Sequence, residues 1–194
     1  MKKAVGYDNV SAKLLINAAE YISGPLCHIF NLSFTSCRFP DALKIARVVP
    51  IFKKGSNDIP GNYRPISVLP LISKILERIV NNRLVTYLNK YNLLYKHQYG
   101  FREKHSAKLS LINLLNNLTQ QIDQGKTTIG IFLDFAKAFD TIDHTILLSK
   151  LHYYGVRGNP TLWFTDYLNQ RFQYVSADGV NSVKLPVTCG VPQG

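Results

Sequence analysis

Residues 127–133 read TTIGIFL, a β-branched and aromatic run that stops on Asp134 before the rings and the lysine of FAKAFD. This run constrains the fold more than any other feature of the chain. Such side chains suit a pleated sheet, and a strand this apolar has to be covered by another layer. The segment is therefore expected to be a buried strand with a carboxylate at its end. Elsewhere the pattern is mixed. Residues 9–36 read as two helices separated at Gly24-Pro25, with Leu14, Leu15, Ala18 and Ala19 on one face and Leu26, Ile29, Phe30 and Phe34 after the break. IARVVPIF at 45–52 reads as a strand running into the polar loop KKGSND.

A helical period over about 71–90 carries Ile72, Ile75, Leu76, Ile79, Leu84 and Leu88. A second over 106–124 carries Leu111, Leu114, Leu115, Leu118 and Ile122, with Ser106 placed to cap it and Gly125 to stop it. Asp143 is placed to cap a helix bearing Ile146, Leu147 and Leu151, and a short helix follows with Trp163, Phe164 and Leu168. Residues 172–176 and 183–187 flank Asp178-Gly179, a hairpin signal. Helices mixed with hairpins, without regular βαβ units or internal repeats, place the chain in the α+β class.

The 194 residues are 46% hydrophobic and 11% aromatic, enough to bury a core. No apolar run approaches the roughly 18 residues of a membrane span. Lys2 and Lys3 are followed by Gly6, Asp8, Asn9 and Lys13 rather than an apolar stretch, so no secretory leader is expected and the protein is read as not secreted. Three cysteines without CxxC pairing argue against a disulfide framework and lack zinc-ligand spacing. The net charge of +11 is unevenly placed: residues 1–108 hold 17 Lys/Arg against 6 Asp/Glu, and residues 109–194 hold 6 of each. The basic half suits a polyanionic partner, although a generically basic surface would look the same.

Four places offer chemistry. Asp134, at a strand end, is placed to hold a divalent cation with the Phe135 backbone carbonyl beside it; equally, it could cap the next turn. Asp140 and Asp143 read as caps or structural acceptors. Lys53, Lys54 and Arg64 could clamp a triphosphate, Arg with a fork and Lys as a mobile charge, or could form a solvated basic loop. In Tyr99-Gly100-Phe101-Arg102, the Phe and Arg could stack on bases, although Phe101 itself reads better as a core anchor. At the end of the chain, Gly190-Val191-Pro192-Gln193-Gly194 exposes one amide side chain on a rigid bend, where it meets a base, a sugar or water.

None of these places is specific alone, but their order is. The blocks NYRPISVLPLISKILERIV (62–80), HQYGFREKHSA (97–107), FLDFAKAFDTIDHTILLSKL (132–151) and CGVPQG (189–194) resemble the reverse transcriptases of non-long-terminal-repeat, LINE-type retrotransposons. GYDNVSAKLL (6–15) and FPDALKIARVVPIFKKG (39–55) look like the start of the same domain. The likeness covers nearly the whole chain. It implies a partial right-hand polymerase, fingers and incomplete palm. Residues 1–105 and about 141–188 would be mainly fingers and finger/palm connections, about 106–140 and 189–194 palm elements, and the thumb would be absent.

The implied reaction is phosphoryl transfer, in which a primer 3′-hydroxyl attacks the α-phosphate of a deoxynucleoside triphosphate and pyrophosphate leaves. The implied cofactor is Mg²⁺, two ions in the complete enzyme, about 3.5–4 Å apart. Asp134 would be the first metal-binding carboxylate, with the Phe135 carbonyl beside it. Lys53 and Arg64 would grip the triphosphate, and Arg102 would lie near template or nucleotide. Phe139 would set a ring beneath the sugar that excludes a 2′-hydroxyl, and Gln193 and Gly194 would pack against the nascent base pair. The partners would be an RNA template, a DNA primer and deoxynucleoside triphosphates, with no membrane. The location would be intracellular, in the nucleus if the chemistry takes place at chromosomal DNA.

The sequence departs from the pattern at Tyr7, at Phe52-Lys53 and at Glu103–Ala107, and it contains no aromatic-Ala-Asp-Asp turn, whose acids would complete the metal site. The chain by itself is therefore expected to extend no primer. A non-catalytic nucleic-acid-binding remnant is the alternative reading. Other right-hand polymerases, intron-encoded or viral, fit less well, because Phe139 disfavours ribonucleotides and NYRPIS and FAKAFD favour the LINE type.

Overall fold

Residues 45–52 form strand β1 (Ile45–Phe52), as their β-branched run predicts. A computed structural model describes residues 5–193. Ahead of β1, α1 (Ala12–Asn17) is capped by the Ser11 hydroxyl and breaks at Ala18. It is followed by α2 (Ala19–Ser36). The expected break at Gly24-Pro25 does not occur: Pro25 lies inside α2. Proline removes one donor, toward the Tyr21 carbonyl, but Tyr21 is exposed and that carbonyl can be hydrated. The apolar face that continues through Leu26, Phe30 and Phe34 packs on the core and outweighs the lost bond. Cys37, left-handed at φ 56, closes the helix.

β2 (Tyr63–Val68) follows a polar loop and was not evident from sequence, because Pro65 interrupts it. It pairs antiparallel with β1, Pro50 standing opposite Pro65, so two missing donors fall on one rung. α3 (Leu71–Lys90) and α4 (Ala107–Asp123) occupy the predicted helical periods, and the Ser106 hydroxyl accepts from the Leu109 amide. α5 (His144–Tyr153) starts at Asp143, whose carboxylate accepts from the Ile146 amide at 2.9 Å. After α6 (Asn159–Leu168) come β3 (Arg171–Ala177), β4 (Val180–Asn181) and β5 (Leu185–Val187). The β3–β4 turn sits on Asp178 and Gly179 with φ 51 and 80, the positive pair that a tight hairpin requires. Among the described residues the sheet runs β2–β1–β3–β4, with β5 also on β3, and β1 and β3 are parallel. Helices and a mixed sheet make the architecture α+β.

The chain divides into two compact units, one running to Arg83 and resuming at Lys137, the other Leu84–Ala136. The first holds the sheet and an aromatic core of Phe30, Phe39, Leu76 and Trp163. Trp163 stacks on Tyr167 and meets Phe39 edge-on, and its indole N–H donates to Ser33 Oγ at 2.9 Å. Lys44 is only 2% exposed and is held by Asp41 at 3.1 Å and Asp166 at 3.0 Å. Asp166 also accepts from the Phe39 amide at 2.7 Å, so the buried charge is both paired and hydrogen-bonded. Burial pushes the Glu77 carboxyl above its ordinary value, opposed by the Ser73 hydroxyl that donates to it at 3.0 Å.

The second unit holds α4 and the run 127–133, which is not a strand. Residues 126–135 have no regular structure, and Ile129, Ile131, Phe132 and Leu133 are each more than 80% exposed. No strand among the described residues pairs with the run. β-propensity measures how well side chains fit a sheet already present. Without a partner the N–H and C=O groups do better in water. Limited chymotrypsin digestion is expected to cut first within residues 129–135, about tenfold or more sooner than in the aromatic core of the other unit. First cuts confined to α2 or to β3 would show that the run is paired and protected.

Candidate functional site

The β1–β2 ladder positions the two cations expected to meet phosphate. Ile51 stands opposite Arg64 and Phe52 opposite Tyr63, and those two rings lie 5.4 Å apart. The Lys53 amide donates to the Asn62 carbonyl at 2.9 Å, which extends the ladder one rung past the strand. By the pleat, Lys53 and Arg64 are then diagonal neighbours on one face, roughly 7–8 Å apart at the strand. Lys53, Lys54 and Arg64 are all exposed, so their charges are available to solvent anions. The loop between the strands is closed by its own polar groups: Asn62 Nδ2 donates to the Ser56 carbonyl at 2.7 Å, and the Tyr63 hydroxyl to the Asn57 carbonyl at 2.9 Å.

In the same unit the turn 189–193 is pinned from several sides. The Gly190 amide donates to the Ile142 carbonyl at 2.7 Å and the Val191 amide to the Phe139 carbonyl at 2.8 Å. Cys189 Sγ reaches the Asp140 carbonyl at 3.4 Å, and the His144 Nε2 lies 2.7 Å from the Gly190 carbonyl. The Ser67 amide, near the end of β2, donates to the Gln193 carbonyl at 2.7 Å. Gly190 is buried at φ 81, and a Cβ there would lie 2.8 Å from the carbonyl oxygens of both Phe139 and Asp140. Only glycine lets the turn approach so closely. The Phe139 backbone is thus held against the turn that carries Gln193, and Gln193 itself against the strand that carries Arg64; both residues are half-buried. Gly194 lies outside the described residues. Asp143 is a helix cap, as its spacing predicts. His144 and Ser67 carry no sequence signal for this role; the His144–Gly190 contact spans 46 positions.

Asp134, Phe135 and Arg102 belong to the other unit. The Arg102 guanidinium donates to the Tyr95 carbonyl at 3.1 Å, and the Tyr99 hydroxyl accepts from Asn113 Nδ2 at 2.7 Å, so this turn is tied to α4 and to itself. Phe101 is 91% exposed at φ 58, not a core anchor. The tight turn points its ring outward, and the anchoring role falls to Tyr99. Asp134 and Phe135 are exposed on irregular chain. Their carboxylate and carbonyl can serve one hard cation whose other ligands are water and phosphate. Among the described residues no three His, Cys, Asp or Glu side chains group to hold a metal. The donors present therefore do not fit a two-ion centre. No helix among the described residues is long and apolar enough to cross a membrane.

Residues 51–194 match the family model described as reverse transcriptase (RNA-dependent DNA polymerase). Over 200 residues the chain is 34% identical to the RNA-directed DNA polymerase from mobile element jockey of Drosophila melanogaster. It is 33% identical over 205 residues to the probable RNA-directed DNA polymerase from transposon BS, and 31% over 203 residues to that from transposon X-element, both of the same species. These alignments take in 100%, 100% and 99% of the chain but 21% of each relative. The chain spans about a fifth of the length of the curated relatives it matches.

Proposed function

The chain belongs to the reverse transcriptase (RNA-dependent DNA polymerase) family, with retrotransposon polymerases as its homologues, and from that premise we propose that it is the nucleotide-gripping part of a LINE-type element's polymerase. The reaction is attack of a primer 3′-hydroxyl on the α-phosphate of a deoxynucleoside triphosphate, with pyrophosphate leaving, on an RNA template. The observation that carries this reading is that Phe139 and the Gln193 turn are pinned together in the unit whose β1–β2 ladder presents Lys53 and Arg64 on one face.

In this reading Lys53 and Arg64 hold the triphosphate, Arg64 through its fork and Lys53 as a point charge. The Phe139 ring lies under the sugar and rejects a 2′-hydroxyl by shape. Gln193, with Gly194 beyond it, lies against the nascent base pair, and Arg102 lies near the template. The reading treats most of residues 1–105 and 141–188 as fingers and residues 106–140 and 189–194 as palm. Asp134 and the Phe135 carbonyl would hold a magnesium ion, which supplies positive charge to phosphate oxygens. One carboxylate does not build the two-ion centre that in-line displacement uses, so the chain alone is expected to extend no primer. The element's chemistry at chromosomal DNA would take the protein to the nucleus.

Photolabelling with 8-azido-dATP tests the reading. Labelling is expected to be competed by dATP better than by ATP, and to fall about tenfold when Lys53 and Arg64 are both changed to Glu. Labelling that the double variant leaves unchanged would overturn it. The basic first half, 17 Lys/Arg against 6 Asp/Glu over residues 1–108, favours a second reading as a non-catalytic nucleic-acid-binding remnant. Salt-sensitive binding of an RNA–DNA duplex, with no preference among nucleotides, would select it.

A further inference from the structure

We propose that His144 is a positioning residue: through the Gly190 carbonyl its Nε2–H holds the 190–193 turn against Phe139. The proposal rests on the reading above, in which that turn and Phe139 face the incoming nucleotide, and it adds a residue with no contact of its own to the nucleotide.

The chemistry at the contact is one-sided. A carbonyl oxygen only accepts, so the 2.7 Å approach of the ring nitrogen makes Nε2 the donor. The ring sits at the first position of α5, directly after the Asp143 cap. Its backbone is thus anchored by a helix start whose Asp143 carboxylate holds the Ile146 amide at 2.9 Å. The helix fixes the donor, and the donor fixes the acceptor. The acceptor gains from such a hold, because Gly190, at φ 81, has no side chain whose packing could fix its peptide. On either side of it the two amides of Gly190 and Val191 donate to the Ile142 and Phe139 carbonyls. Those bonds set how close the turn lies. The Val191 N–H and the Gly190 carbonyl belong to one peptide plane, and the His144 bond fixes its carbonyl edge, so the two bonds together set the direction in which Pro192 and Gln193 leave. At the far end the Ser67 amide takes the Gln193 carbonyl at 2.7 Å. The turn is therefore clamped at both ends, by α5 and by β2.

Two substitutions separate donor from bulk. His144→Gln keeps a donor nitrogen at about the reach of Nε2 without the ring; His144→Phe keeps a ring without the donor. Hydrogen exchange is read at the amides of Gly190, Val191 and Ser67, with the Phe39 amide, bonded to Asp166 in the core, as internal control. The expected result is exchange at Gly190 and Val191 roughly five- to tenfold faster in His144→Phe, close to wild type in His144→Gln, and unchanged at Phe39 in both. Azido-dATP labelling should fall in the Phe variant and recover in the Gln variant. The proposal is overturned if exchange is unchanged in both variants, if it rises in both, or if it rises in Gln and not in Phe, which would make the ring a packing element. If azido-dATP labels no form of the chain while exchange follows the donor, the nucleotide reading fails and the His144 clamp stands.

Discussion

Trp163→Ala is expected to destabilise the chain by about 3–5 kcal/mol, read as a lowered denaturant midpoint. The indole is 4% exposed at the centre of the first unit. It stacks on Tyr167 with centroids 5.5 Å apart and planes 5° apart, and it meets Phe39 at 5.5 Å and Phe164 at 5.4 Å edge-on. Truncation leaves a cavity that α2, α3 and α6 cannot all collapse into, and it deprives Ser33 Oγ of its donor. Ser33 still donates to the Arg38 carbonyl at 2.6 Å, so the cavity dominates the loss. The loss would take much of the roughly 5–15 kcal/mol by which a domain is normally stable. Because the chain has one Trp, the transition has to be followed by circular dichroism rather than fluorescence. A shift below about 1 kcal/mol would mean that this aromatic cluster is not what holds α2, α3 and α6 together.

Gly190→Ala is the second large effect, and it is local. A methyl group there would stand 2.8 Å from the Phe139 and Asp140 carbonyl oxygens and 2.9 Å from Asp140 Cα, all of them backbone that cannot rotate away. The positive φ adds about 1–2 kcal/mol of its own. The turn can relieve both only by lifting off, which breaks the Gly190 and Val191 amide bonds. Exchange at Val191 is expected to rise about a hundredfold or more, which corresponds to roughly 3 kcal/mol of local stability, while the Phe39 amide keeps its protection. The effect should exceed that of His144→Phe, because the clash displaces the turn whereas the missing donor only loosens it. Wild-type protection at Val191 in Gly190→Ala would show that the turn does not lie against Phe139 and Asp140.

Much of the local structure is legible without coordinates. The runs at 45–52 and 71–90, the Ser106 and Asp143 caps, the stop at Gly125 and the Asp178-Gly179 hairpin all depend on neighbours a few positions away, and all appear as expected. The misses have a common cause. Pro25 reads as a breaker, but the burial of Phe30 and Phe34 carries α2 through it. Pro65 masks β2, which exists because β1 offers a ladder. Residues 127–133 have the composition of a strand and no partner among the described residues. In each case the outcome turns on a segment far away in sequence.

The same division holds for the site. Order and spacing of motifs are one-dimensional, so the sequence by itself determined family membership and named Lys53, Arg64, Phe139 and Gln193 as candidates. Only the tertiary structure decided that Phe139 meets the Gln193 turn, that Ser67 and His144 clamp it, and that Phe101 faces outward. Hydrogen bonds across 46 residues depend on where the whole chain path brings a donor to an acceptor, and no window of neighbouring residues contains that information.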